Sequence, residues 1–283
     1  MKIPNRLQPL VDDGLIDDVL QRLKSGKEAD VYTVLCGDNI RCAKVYKEAT
    51  QRSFKQAVQY QEGRKVRNTR NARAMQKGSK FGRKQQEETW QTAEVDALFR
   101  LANAGVRVPQ PYLCMDGVLL MELVTDADGG VAPRLSDVTL TEEMAVTDFH
   151  EMIRNIVRML CAGIVHGDLS EFNVLLDAQG PVIIDLPQAV DAAANNHAES
   201  MFERDVNNIT TYYGQFAPQL LQTRYAKEIW LLYEDGKLTP EAPLTGLFVE
   251  EVHDVDMDSL MDEIISAEDE FYDRQRAAQE RED

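Results

Sequence analysis

Apolar residues recur at helical spacing in the middle of the chain, in a stretch that ends shortly before a polar loop. The recurring residues are Phe149, Met152, Ile153, Ile156, Val157 and Leu160. This spacing gives a helix one apolar face, within a segment over residues 139–163 that forms either one long helix or a helical hairpin. After the loop, apolar runs at 174–176 and 182–184 flank a turn, which predicts a strand, a turn and a second strand.

The first half of the chain alternates between apolar and polar positions, as the strands of a half-buried sheet do. Residues 23–32 are predicted to form a strand, a tight loop and a second strand, and residues 41–47 a third strand. The dipeptide Asp116-Gly117 is a strong turn signal and predicts a hairpin over residues 112–121. These strands favour an antiparallel sheet ahead of the helical second half.

Further helices are predicted from the same periodicity. A short helical piece is expected around residues 14–20, in an N-terminal arm, and a longer helix over residues 87–103. After the two predicted strands at 174–176 and 182–184, a helix is predicted with Phe202, Val206, Ile209, Tyr213 and Phe216 on one face. Another helix is predicted over residues 218–233. The acidic tail from residue 250 carries an apolar stripe and predicts a helix packed on the C-terminal lobe.

Composition limits the class of protein. The chain has 283 residues, of which 43% are hydrophobic, enough for one large domain or a two-lobed one. Four cysteines show no metal-binding spacing, which favours reduced thiols and a cytoplasmic protein. No apolar stretch is long enough to serve as a signal peptide or to span a bilayer, so no membrane partner is expected.

Charge is distributed unevenly along the chain. The formal net charge is −17, yet residues 48–84 hold eleven Lys or Arg against two Glu, and residues 250–283 hold fourteen Asp or Glu against three Arg. Because residues 48–86 lack apolar periodicity, they are predicted to be a basic, flexible insertion. The insertion is expected either to bind RNA or a ribosomal particle, or to be a solvated loop without a partner.

Three oxygen-bearing side chains are expected to meet at one end of the predicted hairpin over residues 174–184. They are Asp168, Asn173 and Asp185. Phosphoryl transfer needs one carboxylate at the acceptor hydroxyl, and an amide and a second carboxylate to hold Mg²⁺ on the phosphates. The alternative is a structural loop with capping Asp residues and an Asn turn. The spacing and the flanking strands together favour the catalytic loop, because they agree as a set with the protein-kinase signature.

A lysine and a glutamate complete this pattern in the first half. Strand alternation places Lys44 on the same face as Cys42 and Tyr46, one hairpin after the loop at 25–30. Glu94 lies on the apolar side of the helix over 87–103, where a charge needs a partner. Lys44 is the natural partner, whereas the alternative is that Glu94 reaches solvent.

Four motifs resemble those of the RIO family of atypical serine/threonine protein kinases. They are SGKEADVY at 25–32, AKVYK at 43–47, HGDLSEFN at 166–173 and IDLPQAV at 184–190. By this resemblance Asp168 is the catalytic aspartate, and Asn173 and Asp185 are the metal ligands. Catalytic roles are implied for Lys44 and Glu94 as well. Nucleotide-binding roles are implied for Ser25, Gly26, Lys27, Glu28, Val31, Lys44, Met121, Glu122 and Val124.

The resemblance implies an α+β, two-lobed protein-kinase-like fold. It has an N-terminal lobe of antiparallel sheet with one helix, a mainly α-helical C-terminal lobe and no activation segment. The expected lobes are residues 1–124 and 125–283. Few residues precede the phosphate loop, so a compact, prokaryotic-type member without a winged helix is expected. The implied activity is phosphorylation of Ser or Thr with ATP and Mg²⁺ (or Mn²⁺), together with autophosphorylation and an ATPase cycle through an aspartyl phosphate. The protein substrate is not identified by the sequence.

Two other functions stay open at this point. A small-molecule phosphotransferase of the aminoglycoside or choline type shares the catalytic loop, but the motifs at 25–32 and 187–190 speak against it. An ATP-driven switch that binds a ribonucleoprotein is supported only by the basic residues 48–84.

Overall fold

The computed structural model describes residues 3–26, 28–47 and 93–248. The predictions for Lys27, for the basic insertion and for the acidic C-terminal helix lie outside these residues. Residues Met1–Leu247 belong to one compact unit. Among the described helices, none is both long enough and apolar enough to cross a membrane.

An antiparallel sheet forms the first half of this unit. Its strands are β1 (Asp18–Ser25), β2 (Ala29–Cys36), β3 (Asn39–Tyr46), β4 (Pro111–Met115) and β5 (Val118–Glu122). They lie in the order β1-β2-β3-β5-β4, in which β1-β2, β2-β3 and β4-β5 are hairpin neighbours and β5 pairs with β3. The turn between β4 and β5 is Asp116-Gly117, with both residues at positive φ (50° and 75°), as the sequence predicted.

The two faces of the sheet are covered by different elements. A short helix, α1 (Gln8–Asp12), brings Leu7 and Leu10 to the outer face, where they pack with Ala43 and other strand residues. The inner face is covered by α2, which is helical over residues 93–103 and joins the large core shared with the second half. Strand alternation therefore decides which side chains of β3 reach the interior between the two halves.

The helix predicted around residues 14–20 is not found there. Helix α1 ends earlier, at Asp12, and β1 already begins at Asp18. Gly14 adopts φ +69°, a left-handed conformation that a helix cannot continue through. The apolar residues at 16 and 19, which suggested helix, are buried on the outer face of the sheet instead.

The second half is mainly helical. Its helices are α3 (Glu142–Cys161), α4 (Ala198–Gly214) and α5 (Tyr225–Glu234), with 3-10 turns at Leu135–Asp137, Glu171–Asn173 and Pro218–Gln222. The segment 139–163 forms a single helix rather than a hairpin of helices, and its predicted apolar face is buried. The Thr141 hydroxyl accepts a hydrogen bond from the Met144 N–H (3.2 Å) and so caps the first turn.

The helix predicted over residues 218–233 is divided in two. Thr223 has an extended backbone (ψ 151°), and its hydroxyl donates to the Leu220 carbonyl (2.7 Å), so the 3-10 turn ends before α5 begins. A local hydroxyl-to-carbonyl bond of this kind competes with helix continuation.

Two small hairpins frame the polar loop. Strands β6 (Ile164–Val165) and β9 (Val190–Asp191) pair with each other, as do β7 (Val174–Asp177) and β8 (Gly180–Ile183). Strand β9 begins only five residues after Asp185, which leaves no length for an activation segment. The predicted α+β fold with two lobes is confirmed.

Candidate active site

Lys44 of β3 makes ionic contacts with two carboxylates, in the cleft between the sheet and the helical second half. Its Nζ lies 2.5 Å from Glu94 Oε1 and 3.0 Å from Asp185 Oδ1. The Tyr46 hydroxyl donates to the second oxygen of Glu94 at 2.8 Å. Glu94 is only 6% exposed, so each of its oxygens has a donor in place of water. The predicted Lys44–Glu94 contact is present, and Glu94 does not reach solvent.

Lys44 and the carboxylates of Glu94 and Asp185 stabilise one another's charged forms. Burial alone would lower the pKa of Lys44, but the carboxylates of Glu94 and Asp185 outweigh it and raise that pKa. Desolvation would raise the pKa of Asp185, but the Lys44 ammonium outweighs it and the pKa is lowered. Both groups therefore remain charged near neutral pH.

A buried carboxylate of α4 holds the backbone of the polar loop from His166 to Asn173. Asp205 of α4 is 2% exposed, and its two oxygens accept the backbone N–H groups of Gly167 (2.7 Å) and Leu169 (2.9 Å). Arg204 donates to the Gly167 carbonyl and Asn208 to the Leu169 carbonyl (3.0 Å). The loop backbone is thereby fixed on both sides of Asp168.

Burial raises the pKa of Asp205 to about 6, although His166 and the two backbone donors act to lower it. His166 itself is buried, and its Nε2 lies 3.1 Å from the Ile184 carbonyl while its Nδ1 accepts the Asp168 N–H (3.3 Å). These two bonds together require the tautomer with hydrogen on Nε2. His166 is thus a packed residue that shapes the loop.

Asp168 projects from this loop with an exposed side chain. The Asn173 amide nitrogen donates to the Asp168 carbonyl oxygen at 2.8 Å, and the Gln188 amide donates to the Asp168 carboxylate at 3.2 Å. Partial desolvation raises the pKa of Asp168, against the charges of His166 and Arg204. The first bond also orients the Asn173 side chain, so that its amide oxygen points away from the loop backbone.

Asp185 follows β8 and is joined to Asn173 through the backbone. The Ile184 N–H donates to the Asn173 carbonyl at 2.9 Å, which brings the two predicted metal ligands together. Asp185 has φ +67°, a left-handed conformation that non-glycine residues seldom adopt. Its side chain is 45% exposed and directed at Lys44. Strained backbone of this kind concentrates at functional sites.

The predicted phosphate loop is a tight turn tied to Lys47. The Gly26 N–H donates to the Ala29 carbonyl (2.9 Å), and a Cβ on Gly26 would lie 3.2 Å from that oxygen. Lys47 Nζ donates to the Gly26 carbonyl (2.7 Å) and pairs with Asp30 (3.3 Å), which also accepts from Ser25 (2.6 Å). These bonds hold Ser25, Gly26 and Asp30 together, and the Gly26 N–H is occupied by the Ala29 carbonyl.

Two other residues predicted to bind the nucleotide, Val31 and Met121, lie on the same face of the sheet as Lys44. Val31 pairs across the sheet with Lys44, and Glu28 accepts the Lys47 N–H on its carbonyl (2.8 Å). Met121 pairs with Cys42, whose thiol is buried and has its pKa raised to about 12 by that burial.

The chain leaves the sheet at the end of β5. The Glu122 carboxylate accepts the Gln110 N–H (3.0 Å), and the Glu122 N–H donates to the Gln110 carbonyl (2.8 Å). The Val124 carbonyl accepts the Ala132 N–H (3.0 Å). These bonds fix the backbone where the chain leaves β5.

Three residues near this cleft were missed by sequence reasoning as functional candidates: Lys24, Gln188 and Asp205. Lys24 pairs with Val31, which pairs with Lys44, so the three side chains share one face of the sheet. Burial lowers the pKa of Lys24, and the charges of Arg134 and Lys44 lower it further while Asp185 opposes them. Cross-strand register could have found Lys24, whereas no local sequence pattern marks Asp205 as a residue that contacts the loop.

The donor set suits a magnesium ion that is held together with a nucleotide. Within the described residues, no group of three or more His, Cys, Asp or Glu side chains could hold a metal ion. Asn173 and Asp185 supply one amide oxygen and one carboxylate. Mg²⁺ favours oxygen ligands and commonly takes one or two from protein, with phosphates and water supplying the rest. The residues present therefore fit the predicted ion.

Comparison with solved structures supports the fold. The Rio2 kinase of Chaetomium thermophilum matches with a TM-score of 0.53 at 22% identity, covering 79% of this chain and 66% of that chain. The ADP/Mg²⁺–phosphoaspartate complex of Rio2 kinase from the same organism matches with a TM-score of 0.52 at 24% identity, covering 74% and 59%. At this identity the likeness shows a kinase-like fold.

Comparison with curated sequences points the same way. The RIO-type serine/threonine-protein kinase Rio1 of Haloferax volcanii is 36% identical over 72% of this chain and 66% of its own length. The serine/threonine-protein kinase rio1 of Schizosaccharomyces pombe is 30% identical over 85% of this chain but 47% of its own length. The chain thus spans from about half to just under two thirds of these relatives.

The family model for the RIO domain matches residues 30–226. This range contains Lys44, Glu94, the loop around Asp168 and the turn at Asp185. With a model that matches well over half of the residues, the chain belongs to the RIO family, as the motifs at 25–32, 43–47, 166–173 and 184–190 predicted.

Proposed function

We propose that this protein is an ATP-dependent serine/threonine protein kinase of RIO type that autophosphorylates and hydrolyses ATP. The observation that carries the proposal is the meeting of three charges: Lys44 contacts Glu94 and Asp185 at once, beside a loop that presents Asp168. In this proposal residues 1–124 form the lobe that covers the nucleotide and residues 125–283 the lobe that presents the acceptor.

Each residue has a role in the proposed transfer. Lys44, held by Glu94, neutralises the α- and β-phosphates of ATP and aligns the chain of phosphates. Asp168 accepts the proton of the acceptor hydroxyl as that oxygen attacks the γ-phosphorus. The residues from Ser25 to Val31 cover the phosphates from above, and the backbone at Glu122 and Val124 binds the adenine edge beside Met121.

Asn173 and Asp185 are the proposed ligands of Mg²⁺, with Mn²⁺ as an alternative ion. When bound, the ion neutralises negative charge on the phosphate oxygens. The carboxylate of Asp185 is held toward the cleft by Lys44 (3.0 Å), and the Asn173 amide by its bond to the Asp168 carbonyl (2.8 Å). Both ligands are thereby oriented before ATP arrives.

The relatives support a protein acceptor over a small molecule, because both curated proteins are named serine/threonine-protein kinases. The path from Asp185 to β9 provides little platform for a protein substrate. Autophosphorylation and slow hydrolysis are therefore proposed to exceed phosphorylation of generic proteins. The phosphoaspartate in the Rio2 kinase complex supports Asp185 as a second acceptor here.

The test is to incubate the purified protein with γ-labelled ATP and Mg²⁺ and to locate the label. Label is expected on the protein itself, divided between an acid-stable Ser or Thr ester and a hydroxylamine-labile acyl phosphate. A screen of hydroxylated small molecules runs in parallel. Fast transfer to a small molecule, or fast multiple turnover on a generic protein with no labile fraction, would contradict the proposal.

The basic insertion is the segment proposed to bind a polyanion. Residues 48–84 carry eleven Lys or Arg against two Glu, a charge that suits RNA or a ribosomal particle. Binding of RNA is expected to weaken steeply with salt, and to be lost when Lys and Arg of this segment are replaced by Gln. The cytoplasm is the proposed compartment, in keeping with four free cysteines.

A further inference from the structure

The turn after Asp185 carries a second polar side chain into the site. Gln188 lies three residues beyond Asp185 in the sequence, and its amide Nε2 donates to Asp168 Oδ2 at 3.2 Å. Asp168 is the carboxylate proposed to receive the proton of the acceptor hydroxyl. A hydrogen bond to Asp168 therefore affects the orientation of this carboxylate.

The position of Gln188 is fixed by its neighbours in the chain. Leu186 and Ala189 on either side are buried, and the Ala189 N–H donates to the Leu186 carbonyl at 3.1 Å to close a tight turn. With its neighbours anchored in the core, the Gln188 side chain is directed out of the turn toward the cleft. Packed neighbours of this kind restrict where a polar side chain can lie.

The turn and the catalytic loop leave the same pair of strands. Val190 pairs with Val165 in the β6–β9 ladder, and Val165 directly precedes His166. Residues a few positions beyond this pair on each strand therefore face one another, which is why the side chain of Gln188 meets that of Asp168. The contact is a product of strand register and does not depend on a mobile segment.

The contact leaves one oxygen of Asp168 available. Oδ2 receives the Gln188 amide, while in the described part of the chain Oδ1 accepts no hydrogen bond. A carboxylate held at one oxygen cannot rotate freely, so the other oxygen keeps a constant direction. Such orientation contributes to rate because the reacting groups meet without a search.

We propose that Gln188 is a positioning residue that holds Asp168 so that Oδ1 faces the acceptor hydroxyl. The inference rests on the proposed function and adds a residue to it. In the step concerned, the acceptor oxygen uses a lone pair to bond to the γ-phosphorus, and the bond from that phosphorus to the ADP oxygen breaks with its electron pair staying on ADP. The acceptor's proton passes to Asp168.

One consequence separates this chain from kinases that are switched by loop phosphorylation. There, an activation segment must be ordered before the site is complete. Here the group proposed to hold the aspartate lies two residues before β9, which is paired with β6, so the site needs no such event to position its base.

The experiment compares single-turnover label transfer at saturating ATP with ATP affinity. In Gln188→Met the chain length is nearly kept and the N–H donor is lost. The expected result is a fall of about tenfold or more in transfer rate, with the Kd for ATP within about twofold of the original. Gln222→Met, on the exposed surface of the 3-10 turn, is the matched control and should match the original protein in both measurements.

A second variant keeps the inference testable if Gln188→Met loses stability. Gln188→Asn keeps a polar amide at this position but is one methylene too short to reach Asp168, so it should be as slow as Gln188→Met. The inference is wrong if Gln188→Met or Gln188→Asn transfers at the original rate, or if only the ATP Kd changes.

Failure of the proposed function gives a different pattern. If the unaltered protein transfers no phosphate to itself or to any acceptor, the proposed function fails. If transfer occurs and is abolished by Asp168→Asn, yet is unaffected by Gln188→Met, only the role of Gln188 is wrong.

Discussion

Two buried carboxylates support the two sides of the cleft, and they are satisfied in different ways. On the sheet side, Glu94 is neutralised by the ammonium of Lys44 and receives the Tyr46 hydroxyl. On the helical side, Asp205 receives the backbone N–H groups of Gly167 and Leu169, and no side-chain donor among the described residues. Both are nearly inaccessible to water, at 6% and 2% exposure.

The difference separates side-chain support from backbone support. Glu94 has a full positive charge beside it, which offsets the cost of burying its own charge. Asp205 has backbone dipoles and more distant charges, and burial raises its pKa to about 6. The sheet side should therefore fail when one side chain is changed, whereas the loop side should respond to pH.

The largest effect is expected for the exposed group that the loop presents. Asp168→Asn removes the proposed proton acceptor, so transfer should fall by about 1000-fold, while stability changes little because the side chain is exposed. Single-turnover transfer and thermal unfolding measure the two quantities. Asp128→Asn, at another exposed position, should alter neither. Near-normal transfer by Asp168→Asn would show that the base lies elsewhere.

Lys44→Met should reduce both stability and ATP binding. It leaves Glu94 buried without its cation, which is expected to lower the free energy of unfolding by on the order of 3 kcal/mol. Adding Glu94→Gln should restore much of the stability without restoring transfer. Chemical denaturation measures the first effect and ATP titration the second. Lys237→Met, in an exposed pair with Asp235, is the control. Equal stability of the single and double variants would remove the distinction between the two sides.

Asp205→Asn tests the backbone-supported side through its pH dependence. The raised pKa means that the folded state of the original protein holds a proton up to about pH 6, where the unfolded state with its ordinary value of 3.8 has lost it. The Asp205 contribution to stability is therefore greatest below about pH 4 and is lost as pH rises through 6. The original protein should gain over Asp205→Asn by up to roughly 3 kcal/mol between pH 7 and 4. Parallel stability curves would contradict this.

The smallest effect is expected for Tyr46→Phe. Glu94 loses one donor but keeps Lys44, so unfolding should become easier by about 1–2 kcal/mol, with transfer reduced only slightly. Tyr213→Phe is a matched control, because the buried hydroxyl of Tyr213 has no hydrogen-bond partner among the described residues. A loss in Tyr46→Phe no greater than in Tyr213→Phe would mean that the cation alone satisfies Glu94.

The sequence predicted those parts of the site whose signal is local. Asn173 lies five residues from Asp168, and Asp185 follows a short strand, so spacing alone brings them together. Lys44 and Glu94 were paired from periodicity and charge, because an acid on an apolar helix face needs a partner. The hairpin turns predicted which consecutive strands pair, but not that β5 lies beside β3.

Contacts between distant segments were not predicted. Asp205 reaches the loop from His166 to Asn173 from 36 and 38 residues away, and Gln188 reaches Asp168 from 20 residues away. Neither has a sequence pattern of its own, since each depends on how α4 and the β6–β9 ladder pack. The misplaced helix near residue 14 has a related cause, because the apolar spacing at 16 and 19 fits a helix as well as it fits the edge of a sheet.

The left-handed backbone of Asp185 affects the choice of an inactive variant for work in cells. Alanine at φ +67° would strain the chain by about 1–2 kcal/mol, so a phenotype of Asp185→Ala would combine a lost carboxylate with a shortage of folded protein. Asparagine tolerates this conformation and has nearly the same shape. Asp185→Asn is therefore the substitution that separates catalytic loss from loss of abundance.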